Sequence, residues 1–177
     1  MLRFVAFAGV VGVASSFGSQ CETGSAKPVL KEHVRIKGPI QEYPDPNMKV
    51  AFFGDVGNGP SQGNVRVMEM VKEWGAEWVV HGGDFDYIDS PSTWIAEVES
   101  VFAPEFPYFI NVGNHDTLNW RATESEPVGY ADWGEQKLID SDTAQYCAAA
   151  EGDYGVKQVC SYRGLTFVSS GVGTLGS

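Results

Sequence analysis

The stretch Met48-Lys49-Val50-Ala51-Phe52-Phe53-Gly54-Asp55 decides the fold. A short apolar run that stops at glycine is the pattern of a buried strand. The pattern recurs twice. Glu77 to His81, with Trp78-Val79-Val80 at its centre, stops at Gly82-Gly83-Asp84, and Pro107 to Val112 stops at Gly113-Asn114. Between the first two runs, Ser61 to Trp74 puts Val67, Met68, Val71 and Trp74 on one helical face and halts at Gly75. Between the second and third, Ser90-Pro91 reads as an N-cap and first helical residue. Trp94, Ile95, Val98, Val101 and Phe102 form the apolar stripe behind it. Strand–helix–strand–helix–strand is an α/β arrangement, with a parallel sheet and right-handed crossovers.

Upstream, Glu22 to Asn47 is polar and carries Pro28, Pro39, Pro44 and Pro46, so residues 21–47 read as a lead-in segment. Met1-Leu2-Arg3 followed by eleven apolar or Gly residues, Phe4 to Ala14, then Ser15 and Ser16, reads as a secretory signal over residues 1–20. Eleven residues are too few for a bilayer core of about 30 Å, so no membrane span is expected and the protein is expected to be secreted. Export permits disulfides. Cys147 and Cys160 flank a short polar stretch and could close a loop, which leaves Cys21 odd. Downstream, Asp116 to about Gly164 reads as irregular, and Leu165 to Val168 as one more strand.

The 177 residues carry 12 Lys and Arg against 23 Asp and Glu, a net charge of −11. Such a chain is a poor partner for nucleic acid or an anionic membrane. Handling a phosphorylated substrate would need positive charge from a bound metal.

Each strand ends in Gly followed by a metal-grade oxygen ligand: Gly54-Asp55, Gly83-Asp84 and Gly113-Asn114. Asp55 and Asp84 are 29 residues apart, and Asp84 and Asn114 are 30 apart. Each interval is one βαβ unit, so the tips are expected side by side at the carboxyl edge of the sheet, where open α/β sheets keep their ligands. Two hard ions about 3.5–4 Å apart need a bridging oxygen donor and can together activate a water towards phosphorus. Asp84, on the middle tip, is the natural bridge, with Asp55 on one ion and Asn114 on the other. His115 would protonate the leaving oxygen as general acid, and Asp116 would orient it.

The segments Gly54-Asp55-Val56-Gly57, Gly83-Asp84-Phe85-Asp86-Tyr87 and Gly113-Asn114-His115-Asp116 resemble the first three motifs of the calcineurin-like metallophosphoesterases, and among them the purple acid phosphatase group. The resemblance covers Met48 to Asp116, with a weaker echo to Phe167. It implies an αββα sandwich and a dinuclear centre of Fe with Fe, Zn or Mn. Asp55, Asp84 and Tyr87 would hold Fe(III), and Asp84 and Asn114 the divalent ion. It also implies hydrolysis of small phosphomonoesters.

The sequence departs from the family in two places. Gly57 stands where most members carry a His, and no His follows His115, although two later family motifs supply three His ligands. Residues 48–177 are therefore expected to be the N-terminal, βαβαβ half of the domain. The apolar sheet face carrying residues such as Val50, Phe52, Val79 and Ile110 is expected to lack its partner layer. The alternative is a truncated, non-catalytic protein that binds metal weakly or serves as an interaction module. His81 reads as a core or supporting residue, and Asp86 and Asp89 as turn and solvent residues.

Overall fold

The computed structural model describes residues 5–6, 47–56, 62–149 and 154–171. The lead-in through position 46, Cys21, His33, Gly57 and all of the signal-like leader except positions 5–6 lie outside the described residues.

Among the described residues, strands β1 (Val5–Ala6), β2 (Val50–Phe53), β3 (Trp78–His81) and β4 (Tyr108–Ile110) form one sheet in that order. All three pairings are parallel, with Phe53 opposite His81 and His81 opposite Ile110. Helix α1 (Gln62–Glu73) crosses from β2 to β3, and α2 (Pro91–Val101) from β3 to β4. The expected βαβαβ core is present, each element within a few residues of its reading. Pro91 opens α2 behind the N-cap Ser90. The Glu126 carboxylate, from a distant loop, accepts the Ser92 N–H at 3.2 Å and the Ser90 hydroxyl at 3.1 Å.

The stretch from Asp116 to Gly164 is not irregular. It contains α3 (Tyr130–Asp140), a 3-10 turn (Ala144–Tyr146), β5 (Cys147–Ala149) and β6 (Lys157–Tyr162). Strand β6 pairs antiparallel with both β5 and β7 (Leu165–Ser170), giving a second, three-stranded sheet. Cys147 and Cys160 face each other across β5 and β6 and are joined as a disulfide, with Cα atoms 4.1 Å apart.

This second sheet corrects the expectation of an uncovered face. Successive strand residues point to opposite sides. On one side, Trp78 meets Tyr162 at a ring separation of 5.4 Å and Phe167 at 5.8 Å, while Phe109 meets the same two rings at 5.5 and 5.1 Å. On the other side, Phe53 packs on His81 and Tyr108, both of these meet Trp94 of α2, and Tyr108 also meets Trp133 of α3. Val50, Val79 and Ile110 are buried. The layers therefore run helices, parallel sheet, antiparallel sheet. Trp78, Trp94, Trp120 and Trp133 all lie in the core, which leaves only half-buried Trp74 towards solvent.

The outer edge of β4 is closed without a further strand. Ile110 donates its N–H to the Tyr154 hydroxyl at 3.1 Å and accepts from Gln158 Nε2 at 3.1 Å. Val112 donates to the Gly155 carbonyl at 3.0 Å. An unpaired strand edge invites pairing with other chains, and this one is covered.

Candidate metal centre

Parallel strands in register bring their carboxyl ends to one rim. Backbone bonds then lace the tips together. Asp55 donates its N–H to the Gly83 carbonyl and Val56 to the Asp84 carbonyl, both at 3.2 Å. Asp55 and Asp84 have φ of +53° and +52°, the left-handed region that non-glycine residues rarely occupy. Such conformations cost about 1–3 kcal/mol each and persist where surrounding structure enforces them, often at functional sites.

The Tyr87 hydroxyl stands between the two carboxylates, 3.0 Å from Asp55 Oδ1 and 3.4 Å from Asp84 Oδ2. Its pKa is pushed up to about 12, first by partial burial and then by the neighbouring carboxylates of Asp55 and Asp84. The His115 backbone N–H reaches Asp84 Oδ1 at 3.1 Å. The His115 ring is exposed and packs on the Tyr87 ring at 4.4 Å. Asn114, also exposed, directly precedes it. The structure thus brings Asp55, Asp84, Tyr87 and the Asn114–His115 loop to one rim.

Asp116 is placed otherwise than expected. It is fully buried, and the partners of its carboxylate are backbone N–H groups, not the His115 ring. Its Oδ2 accepts from Asp84 N at 2.9 Å and Gly113 N at 2.7 Å, and its Oδ1 from Phe85 N at 2.9 Å. Burial pushes its carboxyl up to about 6, against the pull of those three donors. The role of orienting His115 has no contact to support it. Beside this clamp, a Cβ on Gly113 would collide with Asp84 Oδ1 and Asp84 N, so the third tip closes on the second only because Gly113 lacks a side chain.

Asp86 is also corrected. It is 3% exposed, not a solvent residue. Its carboxylate accepts from Ile88 N at 3.0 Å, Ser90 N at 3.2 Å and the Tyr130 hydroxyl at 3.0 Å. It is a turn residue as expected, and it also ties the loop after β3 to α3. The available signal was its position two and four residues before the amides it binds, a spacing at which Asp side chains close turns. The Asp89 carboxyl is raised by burial and sits at φ +52° on the same loop. His81 lies in the core, with Nδ1 2.8 Å from the Tyr108 hydroxyl and its pKa lowered to about 3 by burial.

The donor set can be weighed against a metal. Two carboxylates converging on one phenolic oxygen are hard, anionic donors, and they fit one highly charged cation. For a second ion the rim offers Asp84 again and the Asn114 amide. No cluster of three or more His, Cys, Asp or Glu side chains placed to hold an ion occurs among the described residues. The set therefore offers three donors to one ion, Asp55, Asp84 and Tyr87, and two to a second, Asp84 and Asn114, fewer in each case than the four or more such ions usually take.

No curated protein and no solved structure matches the chain. The calcineurin-like phosphoesterase family does match, over residues 48–170. That span takes in all three strand tips, both crossover helices and the second sheet. The chain belongs to the calcineurin-like phosphoesterase family.

Proposed function

We propose that this phosphoester hydrolase is a secreted, acid phosphatase-like enzyme acting on small phosphomonoesters through a dinuclear centre, closest to the purple acid phosphatase group. The observation that carries the reading is the Tyr87 hydroxyl set between Asp55 Oδ1 and Asp84 Oδ2. Asp55, Asp84 and Tyr87 would hold an Fe(III), and Asp84 and Asn114 a divalent Fe, Zn or Mn. Bound ions would supply Lewis acidity and a nucleophile at moderate pH.

The chain's own residues do the rest. Asp84, fixed by the His115 N–H at one oxygen, keeps the other turned to Tyr87. The exposed His115 ring, packed on Tyr87, would hold a proton for the leaving oxygen. A net charge of −11 argues against nucleic acid as substrate. Among the described residues no helix is long and apolar enough to cross a membrane. Export is supported by the leader's composition and by the Cys147–Cys160 disulfide.

A second reading rests on the two-ligand divalent site: a protein that binds one ion and does not turn over ester. The deciding experiment assays the chain with a chromogenic phosphomonoester in the presence of Fe, Zn or Mn. Metal-dependent turnover, abolished in Asp84→Asn, is expected. Tight binding of one ion without turnover would reject the first reading in favour of the second.

A further inference from the structure

We infer that Asp116 is a positioning residue that holds Asp84 in its left-handed, ligand-ready conformation by locking the second strand tip to the third. The inference rests on the metal-site reading above and deepens it. A single atom, Asp116 Oδ2, takes the backbone N–H of Asp84 and of Gly113, while Oδ1 takes that of Phe85. The link is reciprocal, because Asp84 Oδ1 takes the N–H of His115, next to Asp116 in the chain.

Each loop therefore presents a carboxylate to the other's backbone. Asp84 has φ +52°, a conformation costly for a non-glycine residue to hold for its own sake. Two of the three amides that Asp116 binds flank the Asp84 side chain directly, one on Asp84 itself and one on Phe85. With the clamp in place, the Asp84 side chain is directed at Tyr87 and the amide of His115. Without it, the Asp84 and Phe85 N–H groups have no other hydrogen bond among the described residues, and this tip keeps the backbone bonds from Asp55 and Val56 to the Gly83 and Asp84 carbonyls.

Outer residues that hold metal ligands typically contribute about 10–100-fold to affinity. Asp116→Ala is therefore expected to weaken Mn²⁺ binding by about tenfold or more in titration calorimetry. Asp116→Asn, which keeps one acceptor oxygen for two of the amides, falls between it and the parent. Hydrogen exchange of the Asp84, Phe85 and Gly113 amides should accelerate selectively in both variants. Val98→Ala, a cavity in α2 away from the rim, controls for stability and should lower the melting temperature while leaving the Mn²⁺ affinity unchanged. If Asp116→Ala keeps the parent affinity, or Val98→Ala loses as much, the inference fails. If Asp116→Ala does not fold, Asp116→Asn carries the same comparison. If the parent binds no Mn²⁺, the metal reading fails, and unaltered exchange at the three amides would overturn the clamp separately.

Discussion

Gly82 and Gly83 are neighbours in sequence, and the structure predicts opposite fates for them on substitution. A Cβ on Gly82 would meet nothing closer than the Phe53 carbonyl oxygen at 3.6 Å, an ordinary contact. Its φ is not positive. Gly82→Ala should therefore be neutral or stabilising, by up to about 1 kcal/mol, because the unfolded chain loses freedom. Gly83 has φ +97°, and a Cβ there would stand 2.6 Å from Gly113 Cα and 2.7 Å from the Val112 carbonyl carbon. Those atoms are backbone at the end of β4 and cannot swing away. Backbone strain of about 1–3 kcal/mol adds to overpacking of about 1–3 kcal/mol. The total for Gly83→Ala is about 2–6 kcal/mol, a large share of the stability of a domain this size. Urea unfolding followed by tryptophan fluorescence measures it. With a slope of about 2 kcal/mol per molar, the Gly83→Ala midpoint should fall by about 1–3 M. The Gly82→Ala midpoint should stay or rise. Equal midpoints for the two variants would refute the packing of the second tip against the third.

Three further outcomes are expected. His81 has a folded pKa of about 3 against 6.5 in the unfolded chain, so the unfolded state binds more protons between those values. Stability is then full above about pH 6.5 and falls as pH drops towards 3, by at most about 1.4 kcal/mol per pH unit from this group; His81→Leu with Tyr108→Phe should flatten that slope, and an unchanged slope would contradict it. Replacing both Cys147 and Cys160 by Ala should lower stability by about 2–4 kcal/mol relative to the oxidised parent, seen as a drop in calorimetric melting temperature; an unchanged melting temperature would count against the crosslink. On adding Fe(III), a phenolate-to-metal absorption band should appear and vanish in Tyr87→Phe; a band that survives would remove Tyr87 from the ligand set.

The βαβαβ core was legible because β2, β3 and β4 are largely apolar runs with glycine at or just beyond their ends, and because both crossover helices keep an apolar stripe; β1 was not, because Val5–Ala6 lies inside a stretch whose composition reads as a secretory signal. After Asp116 the strand at Leu165 and the Cys147–Cys160 pairing were legible, but α3 and β6, which bury polar residues, were not, and nor was β5. Helix α3 buries Lys137, whose ammonium donates to the Ala103 carbonyl and lies over the Trp133 ring. It also carries Gly134 at a point where Ile110 and Tyr154 press on the helix, and a Cβ there would lie 2.8 Å from side-chain carbons of both. Strand β6 buries Gln158 on the side where alternation calls for an apolar residue. Charge and glycine erase the periodic signal, although each is satisfied in the fold. At the site, Asp55, Asp84 and Tyr87 could be picked out from their motifs. Asp116 could not be assigned correctly, because a carboxylate beside a histidine in sequence gives no sign of which backbone amides lie beneath it.

The closure of the β4 edge bears on how the domain comes apart. Gln158 belongs to the antiparallel sheet, yet its amide donates to Ile110 in the parallel sheet, and it also holds Ser169 Oγ at 3.2 Å and the Gly155 N–H at 3.1 Å. Peeling away the antiparallel layer would strip the hydrogen-bond partners from Ile110 in the same event that uncovers Trp78 and Phe109. Neither layer can be lost first at low cost, so melting should be a single cooperative transition, with the crossover helices and the hairpin reporting the same midpoint.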